Sequence, residues 1–157
     1  MSVATHSVPV GRSSVARSGS FTDVFVPAAR ALFAALFLSA GPSHFNPATI
    51  AYAQSAGVPF AAFLVPASGV LAFLGGLSVL VGWHARLGAA MIVAFLVPVT
   101  LTMHAFWTVK DPMMAQIQYA MFMKNLGLLG GALLLAHFGA GPHSLDAQRA
   151  TASGSDR

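Results

Sequence analysis

The sequence contains no cysteine and no glutamate. Without a thiol the chain by itself cannot hold a thiolate-ligated iron–sulfur cluster, a cysteine zinc site, a disulfide or a thiol redox couple, and no metal site is expected. Charge of either sign is scarce: Asp, Glu, Lys and Arg make up 8% of residues, against roughly a quarter in an ordinary soluble domain. Residues 31–85 carry none at all. A soluble fold of 157 residues could not hide so long an uncharged and largely apolar stretch, so the water-soluble class is set aside. The net charge of +4 comes from basic residues scattered singly. Nucleic acid is therefore not an expected partner, whereas membrane lipid is.

What the sequence does have is four apolar blocks, Val24–Phe45, Pro59–Gly82, Leu87–Trp107 and Ile117–Phe138. A helix needs about 20 residues to cross a hydrocarbon core of roughly 30 Å, and each block is long enough. The blocks lack the alternation of a membrane barrel strand, so helices are expected. Asn46-Pro47 is a cap with proline next to it at a first helical position, and Gly57 and Pro59 are stop signals, which together predict a short interfacial helix over 47–56. Asp111-Pro112 repeats the device ahead of the last block. The expected fold is all-α: an integral membrane four-helix bundle over residues 23–146, with a disordered cytoplasmic tail at 1–22 and a polar cytoplasmic tail at 147–157. A cleavable leader ending near Ala51-Tyr52-Ala53 is the competing reading of the first block. Its basic region would run to Arg30 and its cleavage site would stand well beyond the apolar core, both longer than such leaders usually show.

Arg12, Arg17, Arg30, Arg86 and Arg149 fall on one side of the spans and Lys110 on the other, which predicts both termini in the cytoplasm of a bacterial inner membrane. Small residues four apart predict packing seams at Ala31/Ala35/Ser39, Ser68/Ala72/Gly76, Ala90/Ala94 and Gly127/Gly131. Pro66 and Pro98 inside spans predict kinks.

Ionisable residues within spans are costly and usually meet a partner, a cavity or a substrate path. Arg30 stands close enough to the cytoplasmic end to reach the interface; Arg86 on the same side and Trp107 at the outer interface are the other expected membrane anchors. Lys124 shares one helical face with Gln116, Ala120, Gly127 and Gly131, and that face is expected to turn inward. His104 and His44 lie at the same, outer level, with Thr100, Gln118 and Asn125 nearby. This half of the bundle could therefore hold an anionic or carbonyl-bearing head group. Bis-His haem ligation, by His44 with His104 or His84 with His137, is disfavoured because two histidines at one membrane level arise readily by chance.

Several pieces occur in a recognisable order. Arg30 is followed by Leu32-Phe33 and Ser39-Ala40-Gly41; Asn46-Pro47, Gly57-Val58-Pro59 and Gly75-Gly76 come next. His104-Ala105-Phe106-Trp107, Lys124-Asn125-Leu126, Gly130-Gly131 and Gly141-Pro142-His143-Ser144-Leu145-Asp146 complete the set. In this order the chain resembles the DoxX family of small bacterial membrane proteins, although members of that family often carry Lys where His44 stands. The resemblance implies a four-helix inner-membrane bundle and an association with quinone-linked or oxidative-stress redox systems, with electrons supplied by a redox partner protein. On that reading no cofactor is built in and quinone is the expected one. Lys124 would stabilise a quinone oxygen and His104 would relay a proton, with His44, Thr100, Gln116, Gln118 and Asn125 lining the site. Catalysis is not established by these residues alone. The alternative is a non-enzymatic bundle that binds partners or lets a small solute permeate, motivated by the lack of a built-in redox centre, nucleophile triad or carboxylate pair within the spans.

Overall fold

A computed structural model describes residues 22–155. The tail expected at 1–22 lies outside the described residues but for Thr22. The described chain forms six α-helices: α1 (Thr22–Ser43), α2 (Pro47–Ser55), α3 (Ala61–Val81), α4 (Ala85–Met103), α5 (Pro112–Phe138) and α6 (Leu145–Ser155). A single 3-10 turn, Phe106–Thr108, follows α4. Four of these helices, α1, α3, α4 and α5, are long and apolar enough to cross a membrane, and among the described residues there is no strand.

The capping chemistry read from the sequence sets two helix starts. The Asn46 side chain accepts from Ala48 N at 2.9 Å with Pro47 at the first position of α2. Asp111 accepts from Met114 N at 2.8 Å ahead of Pro112 in α5. Both satisfy backbone donors that have no partner inside the helix. Within the polar tail expected over 147–157, the described residues to Ser155 belong to α6. Ser144 starts it, its Oγ accepting from Ala147 N at 3.1 Å.

The bundle packs in chain order, α1 on α3, α3 on α4 and α4 on α5, with α2 laid against α3. Its core joins Phe37 of α1, Ala72 and Val79 of α3, Ile92, Phe95 and Leu96 of α4, and Ala132 of α5. Two helix pairs touch backbone to backbone. A methyl group at Gly69 would lie 2.5 Å from His44 Cβ and 2.7 Å from the Gly41 carbonyl oxygen, and one at Gly75 would lie 2.8 Å from that of Gly88. Only glycine permits such approach, and in lipid close approach is the main source of helix association.

The small-residue seams are therefore partly where the spacing put them. Ala72 and Gly76 are buried in α3, but Ala31, Ala35 and Ser39 of α1, and Ala90 and Ala94 of α4, are exposed. Those helices pack through Ala34, Phe37 and Gly41, and through Gly88, Ala89 and Ile92, a neighbouring stripe that offers both small and bulky groups. Outward positions carry large apolar side chains, such as Leu32 (79% exposed) and Phe63 (73%), which suit a hydrocarbon surrounding.

Candidate functional site

At one end of the bundle, where α1 and α4 begin and α3 and α5 finish, the polar groups form a lock. Arg30 is 5% exposed; its Nη1 donates to the Ala140 carbonyl at 3.1 Å and its Nη2 to that of His143 at 2.7 Å. The guanidinium fork expected to reach the head-group region is taken up by the carbonyls of the 139–144 turn. Gly82, in the left-handed region at φ 66°, ends α3 beside it, and a side chain there would come within 2.6 Å of Arg30 Nη1. The Asp146 carboxylate accepts from His84 N at 2.8 Å and from Ala85 N at 2.9 Å, so a residue of α6 caps α4. Burial opposes the ionisation of Asp146, but these two backbone hydrogen bonds, with the charges of His84 and Arg149, outweigh it and hold its pKa below the ordinary 3.8. Arg149 lies over the Trp83 ring at 5.7 Å and pins α6 further. A hollow of about 660 Å³ under α6 includes the exposed Arg86, yet the carboxylate at its wall is already engaged.

The opposite end carries His44 and His104. His104 Nδ1 lies 2.8 Å from Gln118 Oε1; an amide oxygen only accepts, so the ring donates. Gln118 Nε2 in turn reaches Tyr52 Oη at 3.4 Å, linking the residue that ends α4 to α5 and α2. Phe106, Trp107, Tyr119 and Phe122 form an edge-to-face cluster alongside, with Trp107 57% exposed at its margin. Thr100 and Asn125 are each 5% exposed within the bundle.

Lys124 is not brought to these groups. Gln116, Ala120, Lys124 and Gly127 are all exposed, and nothing stands within 4 Å of a methyl placed at Gly127. Of that face only Gly131 approaches another helix, at Phe33. The inward turn expected of it is corrected. A competing stripe, Asn125, Leu128, Leu129, Ala132 and Leu135, repeats at helical spacing and buries more apolar surface. The Lys124 ammonium folds back one turn to Met121 Sδ at 3.4 Å.

The largest hollow described at this end lies elsewhere, between α3 and α4 beneath α2, and is open on one side. It is a cavity of about 620 Å³, within the range of small-molecule sites. Ala53 and Val58 close its top, Val65 and Leu71 form its α3 wall, and Val99 and Met103 its α4 wall. Its polar lining is His44, Thr49, Ser68 and Thr102. His44 enters from the end of α1 because Gly69 leaves room for its Cβ; its Nδ1 is 2.9 Å from the Ala40 carbonyl and its ring meets Phe95 edge-on at 5.6 Å. Leu64, Pro98 and Thr102 at the rim are exposed on the flanks of spanning helices, so the opening faces the lipid side. Of the site residues expected from the sequence, only His44 lines this cavity. Sequence reasoning misses Thr49, Ser68 and Thr102; the signal for them is the pair of span prolines, since Pro66 and Pro98 flank the same stretch of α3 and α4.

The fold and its surface define a multi-pass integral membrane protein built on a bundle of four spans. Among known proteins, the SURF4 family matches residues 62–151. The chain is also similar to the inner membrane protein YqjF of Escherichia coli (strain K12), at 35% identity over 126 residues, covering 79% of this chain and 91% of that protein. The chain belongs to the SURF4 family. No solved structure matches it. These matches overturn the resemblance to the DoxX family. Several of the pieces that carried it, such as Asn46-Pro47, Gly57-Val58-Pro59 and Gly75-Gly76, are a helix start, a helix stop and small residues at a helix crossing, devices that unrelated membrane bundles share.

Proposed function

We propose that this chain is an inner-membrane binding protein that admits a small lipophilic molecule sideways from the bilayer into the cavity between α3 and α4. One observation carries the reading: a cavity of about 620 Å³, predominantly apolar, is roofed by α2 and rimmed by exposed span residues. Both termini are assigned to the cytoplasm, because Arg30, Arg86 and Arg149 gather at the lock while Lys110 lies beyond the other end. On this orientation the cavity belongs to the outer half of the membrane and α2 lies along the outer interface.

A quinone-linked redox role is not retained. It drew on the DoxX resemblance and on Lys124 meeting His104 at a head group, whereas Lys124 is exposed on α5 and His104 is engaged by Gln118. Binding without catalysis fits a cavity that no carboxylate, lysine or arginine lines.

The test is photolabelling of the full chain in nanodiscs with a diazirine-bearing alkyl probe, followed by mapping of the adducts. Adducts concentrated on Leu71, Val99 and Met103, and lost in Ala67→Phe, are expected. Adducts spread over the outer faces of all four spans and unchanged in Ala67→Phe would overturn the reading.

A further inference from the structure

The polar groups of the cavity are unusual in what they lack. No Lys, Arg, Asp or Glu lines it, so neither an anionic head group nor an ammonium would find a counter-charge there. The remaining groups are mostly committed as donors to their own helices. Ser68 Oγ donates to the Val65 carbonyl at 2.7 Å, and Thr102 Oγ1 donates to that of Pro98 at 2.7 Å. Each hydroxyl is left with lone pairs only. The Ala40 carbonyl, which can only accept, holds the proton of His44 on Nδ1. In the neutral ring Nε2 is then a third acceptor, and it has no hydrogen-bond partner among the described residues. Thr49, on the roof, is the one lining hydroxyl whose proton no carbonyl among the described residues takes.

From this we infer that the cavity selects an uncharged, apolar-bodied molecule bearing a hydroxyl, such as a long-chain alcohol or an alkylphenol, and discriminates against the corresponding ether or ketone. A hydroxyl carries both a proton for these acceptors, His44 Nε2 among them, and lone pairs for Thr49. An ether or a ketone only accepts: Thr49 could satisfy it, but it would set its lone pairs against those of His44, Ser68 and Thr102. Sites whose buried acceptors demand a donor reject ligands that lack one more sharply than sites that merely exclude bulk. The inference rests on the cavity being a binding site, as proposed above.

The test is competition against the photoreactive alkyl probe on the full chain in nanodiscs, using dodecanol, its methyl ether and a methyl ketone of equal length. Dodecanol is expected to displace the probe from the cavity adducts at about ten-fold lower concentration than either of the others. The preference is expected to collapse in His44→Phe, which keeps a ring against Phe95, and to shrink in Thr102→Val at the exposed rim. Equal displacement by all three competitors, with the adducts still confined to the cavity, overturns the hydroxyl preference while leaving the binding site in place. No cavity-confined adduct with the probe alone, before any competitor is added, overturns both.

Discussion

At the scale of single residues, the most exacting positions are those where a side chain and a backbone compete for the same space. Arg30 spends its fork on two carbonyls of the turn after α5. Lysine cannot copy that planar, two-pronged donation. Arg30→Ala leaves both carbonyls without that donor and is expected to cost about 3 kcal/mol; Arg30→Lys is expected to recover less than half. Thermal unfolding in detergent measures both. Gly69 and Gly127 form a matched pair for the same measurement. Gly69→Ala drives a methyl into His44 and the Gly41 carbonyl, whereas Gly127→Ala meets nothing within 4 Å. The first is expected to lower stability by roughly 2 kcal/mol or more. The second is expected to leave it unchanged or raise it slightly. Equal effects would contradict the crossing of α1 on α3.

At the scale of elements, how much could be read depends on what set each element. Helices α2 and α5 were legible because capping and proline rules are local: Asn46-Pro47 and Asp111-Pro112 declare a helix start whatever surrounds them. The four spans were legible because lipid leaves apolar blocks of that length little alternative. The inward face of α5 was not legible. Two stripes met the rule of helical spacing, one small and charged through Lys124, one apolar through Ala132, and only the shape of α4 decides between them. Helix α6 was likewise hidden, since its hold comes from Asp146 reaching α4 and Arg149 reaching Trp83, contacts far apart in sequence. The docking of α6 carries a pH signature. The carboxyl of Asp146 has a lower pKa folded than unfolded, so its contribution is complete above the unfolded value near 3.8 and fades as pH falls through the folded value. Limited proteolysis of the 140–155 region is expected to be slow at neutral pH and to quicken only below about pH 4. Asp146→Asn, which keeps one acceptor of two, is expected to quicken it at neutral pH and to flatten the acid response. The same α5 geometry predicts that Lys124→Ala leaves ligand competition at the cavity unaltered, since that ammonium stands on the outer surface against Met121.

At the scale of the whole molecule, the two ends of the bundle do different work. One is a polar lock that closes α1, α4 and α6 on each other, with its donors and acceptors largely used up. The other is loosely roofed by α2 and keeps a cavity whose acceptors are left over. The candidate site was only partly legible in the sequence for this reason: His44 stood out as an ionisable group at a span end, but Ser68 and Thr102 look like ordinary small polar residues until the turn of α3 against α4 sets them around one space. The absence of cysteine gives a clean background for the decisive measurement. Ala67→Cys places one thiol in the cavity and Leu133→Cys places one on the outer face of α5, and each is reacted in nanodiscs with a lipid-soluble maleimide, with and without dodecanol. The alcohol is expected to slow reaction at position 67 several-fold and to leave position 133 unaffected. Equal rates at position 67 with and without the alcohol, or protection of both positions alike, would contradict a lipid-facing binding cavity between α3 and α4.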